Sequence, residues 1–359
     1  MPSRLIRSRL PIVAAPMAGG PTGPALTEAV ADAGALPFLA GGYKTPEALS
    51  GEMEAARRLG AQFGVNLFVP EGRTPDPDAF RAYAAELQPE AAAYGLTLES
   101  EPVTDDDHWD AKLKLLIEHP VPLVSMTFGI PRPAEIAALQ EAGSRVLISV
   151  TTPGEAQAAR DAGADGLAVQ GARAGGHSAA HDPFRTPRPK ETDELVREVL
   201  DAVDLPVIGA GGVDGPEAVL RILEAGAEAV AVGTLLLRTD EAGTSAAHRA
   251  ALADPRREET VLTRAFTGRP ARALRNGFID RHQDSAPTAY PALHHLTKPL
   301  RAAAGQAGDS ERLHLWAGTG YRQAPEGPVA RVIDGLAAGA SAGQDWSVRR
   351  FSRSRRSAR

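Results

Sequence analysis

The strongest constraint on the fold is a unit that recurs along the chain. Four stretches, DAGALPFLAGG (32–42), EAGSRVLISV (141–150), DAGADGLAVQG (161–171) and EAGAEAVAVGT (224–234), share one grammar: an Ala-rich helix end, a glycine, then an apolar run. Glycine suits the left-handed residue that closes a helix, because it has no Cβ to clash there. Gly34, Gly143, Gly163 and Gly226 are therefore the expected helix stops. The apolar runs do not alternate with polar residues, as a strand with one wet face would. Both faces must be covered, which is the mark of a parallel sheet under helices.

Eight candidate strands follow: IVAAPM (12–17), LPFLAGG (36–42), FGVNLFV (63–69), LVSMTFG (123–129), RVLISV (145–150), GLAVQG (166–171), PVIGAGG (206–212) and AVAVGT (229–234). Helical patterns lie between them, several entered through a proline at or near the first turn. Eight alternating βα units within about 240 residues fit an α/β protein of the (β/α)8 barrel type better than an open doubly wound sheet. Residues 71–118 interrupt the rhythm and read as a partly helical insertion after the third strand, near the mouth; a further segment runs from about 240 to 340. The expected organisation is one barrel domain over 1–345 and a basic, disordered tail over 346–359, either a solvated end or a weak contact for an anionic partner.

Composition removes whole classes of function. The chain has no cysteine, which excludes disulfides, thiolate nucleophiles and Cys-based metal or Fe–S sites. A net charge of −6 gives no general reason to seek nucleic acid. No apolar run approaches the roughly 18 residues of a membrane span, and the N-terminus lacks a secretory apolar region, so the cytoplasm is the expected location and no membrane partner is expected.

Active sites of such barrels lie at the C-terminal ends of the strands. The first strand ends in APMAGG, where Met17 and its small neighbours either let a backbone approach a flat ligand or make a tight turn. Asn66 and Gln170 are carboxamides inside apolar strands; each needs a partner, a heterocycle or the neighbouring backbone. Gly209, Gly211 and Gly212 after the seventh strand, with Gly233 and Thr234 after the eighth, form the pair of loops that commonly holds a ligand phosphate. An anion, a planar ring and two buried amides together suggest flavin mononucleotide (FMN) as the cofactor. In QGARAGGH, Gly175 and Gly176 deliver His177 to the mouth beside Gln170, where an imidazole can take a proton near neutral pH. His181 ranks second, and His294 and His295 lack metal-ligand spacing and read as structural or surface residues.

With these residues assembled, the sequence resembles the nitronate monooxygenase family, formerly 2-nitropropane dioxygenases, over about residues 10–335. The resemblance rests on PIVAAPMAGGPT, FGVNLFVP, SMTFGIP, QGARAGGH, IGAGGVDGPEAV, AVAVGTLLLRTDEAGTS, FTGRPARALRNGF, and AYPALHHLTKPLR with LWAGTGY. The family pattern usually has Glu where Arg173 stands and often Arg where this chain has Ser178. The resemblance implies an FMN-dependent oxidoreductase in which Met17, Asn66 and Gln170 face the flavin, Gly176 lies against the ring edge, and Gly212, Gly233 and Thr234 hold the phosphate. It also implies that His177 removes the proton α to a nitro group. An electron then passes from the nitronate substrate to FMN, and dioxygen completes oxidation to a carbonyl compound and nitrite. Two alternatives stand beside it. One is an NAD(P)H-dependent enoyl-thioester reductase, whose flavin reduced nicotinamide would bleach; the other is a flavin-binding barrel without turnover. An inosinate-dehydrogenase-type reaction needs the cysteine that this chain lacks.

Overall fold

The computed structural model describes residues 4–340; the basic stretch 346–359 lies outside the described residues. Eight strands, β1 (Ile12–Ala14), β2 (Leu36–Ala40), β3 (Gly64–Phe68), β4 (Leu123–Thr127), β5 (Arg145–Val150), β6 (Gly166–Gln170), β8 (Val207–Ala210) and β9 (Ala229–Val232), close into a parallel barrel in that order, β9 returning to β1. The two-residue strand β7 (Gly176–His177) stands outside the barrel. The eight runs that fail to alternate are the eight barrel strands, and the chain is a (β/α)8 barrel. Most strands stop short of the C-terminal end of their run, where trailing Gly and Pro leave the ladder and turn into the mouth. Gly34, Gly143, Gly163 and Gly226 sit at φ of 82°, 106°, 98° and 111°, the left-handed region that closes a helix.

The barrel is filled unevenly. At its N-terminal end, Leu5, Ile6, Val13, Leu36, Phe38, Leu123, Leu147 and Ile208 form one apolar cluster, so that the entering chain plugs the bottom. Each such side chain removed from water contributes about 1.5–3 kcal/mol. At the C-terminal end the lining residues are small or polar, among them Ala15, Asn66, Ser125, Ser149, Ala168, Ala210 and Ala231. Packing that seals the bottom leaves room at the top.

A second core sits over the mouth. Helix Pro77–Ala92, strands β10 (Thr260–Thr263) and β11 (Ala271–Leu274), and helices Gly277–His282 and Ala292–Gln306 contribute to it. Phe80, Tyr83, Leu87, Phe266, Phe278 and Leu293 are buried there together. The Tyr83 hydroxyl donates to the Ala265 carbonyl at 2.8 Å, tying the segment after β3 to the C-terminal half. Helix Trp109–Glu118 instead packs on helices Pro46–Arg58 and Pro133–Glu141, in the ring around the barrel. Strand β7 joins β10 and β11 in a three-stranded antiparallel sheet, with His177 opposite Ala271. Among the described residues no helix is long and apolar enough to cross a membrane.

Candidate active site

A cavity of about 650 Å³ opens at the C-terminal ends of the strands, and ten of the residues singled out from the sequence line it: Met17, Asn66, Gln170, Gly175, Gly176, His177, Gly211, Gly212, Gly233 and Thr234. Gly209 does not: it lies within β8, and a Cβ there would meet Ile222 and Val196 on the helix side. It has two parts, a glycine cradle and an aromatic chamber.

The cradle is made of backbone. Loops after β6, β8 and β9 converge with residues 318–320 of the C-terminal segment. A Cβ on Gly175 would lie 2.5 Å from the amide nitrogen of Gly318; one on Gly211, at φ 100°, would lie 2.9 Å from that of Ala174. Only glycine lets these chains approach so closely. The Gly318 N–H donates to Thr234 Oγ1 at 2.9 Å, and the Thr319 N–H to the Arg173 carbonyl at 3.1 Å, which locks the C-terminal loop onto the strand ends. The N–H groups of Gly212 and Thr234 are not committed to any backbone carbonyl. Free amides of this kind, at the ends of the last two barrel strands, suit an oxyanion. Arg173 borders the cradle and pairs with Glu191 at 2.6 Å, both half exposed.

Both carboxamides have protein partners, although only Asn66 is buried and Gln170 is half-buried. Asn66 Nδ2 donates to Ser125 Oγ and Thr127 Oγ1, each at 2.9 Å, and Thr127 Oγ1 lies 3.2 Å from Ser149 Oγ. A polar belt thus crosses β3, β4 and β5 at the cavity floor. Gln170 Nε2 donates to the His177 carbonyl at 3.1 Å, while its Oε1 accepts from the Ala179 N–H at 2.7 Å. Gln170 therefore clamps the backbone that leaves the histidine, residues 177–179, while bordering the cavity.

The chamber is made of side chains. The His177 ring is enclosed by Phe128, Tyr290 and Trp316, with centroids 5.7, 5.8 and 5.3 Å away. Its Nε2 lies 2.9 Å from Thr267 Oγ1. Burial, and then the Arg301 charge, pull its pKa down from 6.5 to about 3. It is neutral at neutral pH. Phe128, at φ 81°, is a strained non-glycine residue pressed between the guanidinium of Arg269, 4.1 Å from its ring centroid, and the His177 ring. Arg269 is itself completely buried: it donates to the carbonyls of Ser178 and Ala180 and pairs with Glu71. The cavity wall carries Arg173, Lys298 and Arg301 and four histidines, with no Asp or Glu among its lining residues. Burial lowers the Arg301 pKa only to about 10, so its charge persists at neutral pH. The site favours anions.

Several wall residues carried no local signal. Tyr43, Thr267, Arg301 and Trp316 come from segments far apart in sequence, and only the fold brings them together; Tyr290 packs against His177 and Phe128 without lining the cavity. His294, expected to be structural or at the surface, is a buried part of the wall, stacked on Tyr43 at 4.2 Å. His295 points elsewhere and pairs with Asp105 at 3.0 Å, because successive helical residues diverge by about 100°. His181 is not among the lining residues; its Nε2 lies 2.9 Å from the Ser149 carbonyl. Among the described residues no cluster could hold a metal ion.

Comparison with known proteins agrees with this geometry. The nitronate monooxygenase family profile matches residues 3–339. A probable nitronate monooxygenase of Staphylococcus aureus is 32% identical over 339 residues, 93% of this chain and 95% of that protein. Nitroalkane oxidase from Streptomyces ansochromogenes is 45% identical, with a TM-score of 0.86 over 93% of this chain and 97% of that one. FabK from Thermotoga maritima shares the architecture at 25% identity, with a TM-score of 0.71 over 97% of both chains. A flavoenzyme barrel with an anion-favouring mouth, matched over nearly its whole length, belongs to the nitronate monooxygenase family.

Proposed function

We propose that this chain binds FMN and oxidises alkyl nitronates, and the nitroalkanes from which they form, with dioxygen to a carbonyl compound and nitrite. His177 is the base. The observation that carries this reading is a half-buried imidazole, held neutral by desolvation, in an aromatic chamber that adjoins a backbone cradle, in a cavity lined by cations and, among the described residues, by no carboxylate.

The residues fit FMN. A monoester phosphate suits the free amides of Gly212 and Thr234 together with Gly233. Ala168, Ala210 and Ala231 leave a flat space beside them, bordered by Met17, Asn66, Gln170, Gly175, Gly176 and Gly211. FMN, when bound, supplies the electron acceptor for the nitronate.

The protein's own part is electrostatic and steric. Arg301 and Lys298 draw an anionic nitronate into the chamber and stabilise one formed there. The rings of Phe128 and Trp316 exclude water and pack the alkyl portion, with Tyr290 packed behind them against His177. For a neutral nitroalkane, His177 takes the α-proton and becomes an imidazolium beside the new anion; each charge stabilises the other. A preformed nitronate needs no such step.

The experiment is His177→Asn, with nitroalkane and preformed nitronate oxidation measured separately. Loss of a positioned general base costs about 10²–10⁴-fold. That loss is expected in kcat/KM for the nitroalkane, with nitronate turnover reduced less than about tenfold. Equal retention of both activities would refute His177 as the base.

A further inference from the structure

We propose that Thr267 is the positioning residue that fixes the His177 tautomer and accepts a hydrogen bond from its imidazolium, so that Nδ1 is the atom that receives the substrate proton. The inference rests on the reading of His177 as the base.

Thr267 is 1% exposed and lies on the turn between β10 and β11. The same hairpin holds the histidine's backbone: β11 pairs with β7, placing Ala271 opposite His177, and the Ser178 N–H donates to the Pro270 carbonyl at 2.8 Å. One hairpin therefore fixes both the main chain and the ring. Gly268, at φ 77°, makes the turn possible, since a Cβ there would lie 2.7 Å from the Ala289 nitrogen.

Imidazole chemistry supplies the rest. A neutral ring carries one N–H, and the nitrogen that can accept a proton is the other one. His177 Nε2 lies 2.9 Å from Thr267 Oγ1, and Nδ1 has no protein partner among the described residues. The Thr267 hydroxyl donates its own hydrogen to the Arg269 carbonyl, at 3.4 Å, which leaves an oxygen lone pair for an Nε2–H donor. In the proton transfer, the Cα–H bond breaks, its electron pair becomes the C=N bond of the nitronate, and the proton goes to Nδ1. The imidazolium then has two N–H groups: one faces the nitronate, the other needs the Thr267 oxygen. Catalytic histidines are commonly oriented by a carboxylate. Among the described residues no carboxylate lines this cavity, and a hydroxyl does that work.

The test uses flavin-loaded wild type and three variants: Thr267→Val, isosteric but unable to accept, Thr267→Ser, which keeps the hydroxyl, and His177→Asn. In ¹⁵N-histidine spectra the His177 signals, assigned by their absence in His177→Asn, should show a protonated Nε2 and an unprotonated Nδ1; Thr267→Val should shift them toward a mixture. For the nitroalkane, Thr267→Val should lower kcat/KM about 10–100-fold, the effect of a lost hydrogen bond to a charged group. It should also move the acid limb of the pH profile to lower pH, because an imidazolium without its acceptor forms less readily. Preformed nitronate should change less than about threefold, and Thr267→Ser should restore both the rate and the limb to within about threefold. An unchanged tautomer with an unmoved acid limb in Thr267→Val overturns the inference. If His177→Asn leaves nitroalkane oxidation intact, the base assignment fails instead, and the ¹⁵N spectra still decide whether Thr267 sets the tautomer.

Discussion

The two halves of the cavity are built by opposite means. The cradle is backbone: glycines at strand ends, of which Gly175 and Gly211 are held where a single Cβ would collide with a neighbouring amide. The chamber is side chains: an imidazole ringed by Phe128, Tyr290 and Trp316, and held through Thr267, from four segments. On the proposed function the cradle recognises a group by shape and N–H direction, and at Gly175 and Gly211 it has no room for a side chain. The chamber sets charge, tautomer and water exclusion, and its properties can be tuned one residue at a time. On the proposed function, binding a cofactor and choosing a reaction thus fall to different materials.

That contrast can be broken at the cradle first. Gly175→Ala forces a Cβ to within 2.5 Å of the Gly318 amide, a backbone atom that cannot step aside. It should abolish flavin retention and lower the melting temperature of the apoprotein. Gly233→Ala is the informative partner, because its Cβ would meet only ordinary contacts at 3.6 Å from Ala15 Cβ and Met17 Sδ. Apoprotein stability should stay within about 0.5 kcal/mol of wild type, whereas FMN affinity should fall more than tenfold, on the order of 1.4 kcal/mol or more. FMN binding unchanged in Gly233→Ala would remove that residue from the phosphate site.

The chamber is tested by acid. Burial lowers the pKa of His177 from 6.5 to about 3 and that of His248 to about 4, and it lowers His294 and His314 as well. As pH falls below about 6.5, the unfolded chain takes up protons that the folded chain refuses, so folded stability is lost progressively toward about pH 4. The loss should be on the order of 1.4 kcal/mol per pH unit for each such histidine. Denaturant titrations of the apoprotein between pH 7 and pH 4 measure it, and His177→Asn should reduce the slope. A flat profile would mean that the chamber histidines are solvated.

The smallest effect is expected at the rim. The Arg173–Glu191 pair is half exposed, and such pairs contribute about 0–1 kcal/mol. Arg173→Glu, which restores the residue usual in the family pattern, should change FMN affinity less than about threefold. A large change would show that the Arg173 charge takes part in the cradle.

Much of the frame was legible because its signals are local. Helix-closing glycines and non-alternating runs mark the barrel strands within ten residues, and the glycines at the ends of β8 and β9 mark the cradle in the same way. His177 stood out from His181 because of the two glycines before it. The chamber lacked such marks. Strand β7 is two residues long, and its partner β11 begins at Ala271, so no periodicity announces it. His294 and His295 are adjacent and look alike, yet one enters the wall and the other lies 3.0 Å from Asp105.

The amino-acid order alone thus determined the barrel, the cradle glycines and the identity of the principal histidine, because each depends on backbone geometry and burial over short spans. Tertiary structure decided which hydroxyl, guanidinium and aromatic rings surround that histidine, what fixes its proton and how far its basicity falls. Those properties arise from desolvation and from contacts between residues as distant as His177 and Thr267, and such terms exist only once the chain has closed over the mouth.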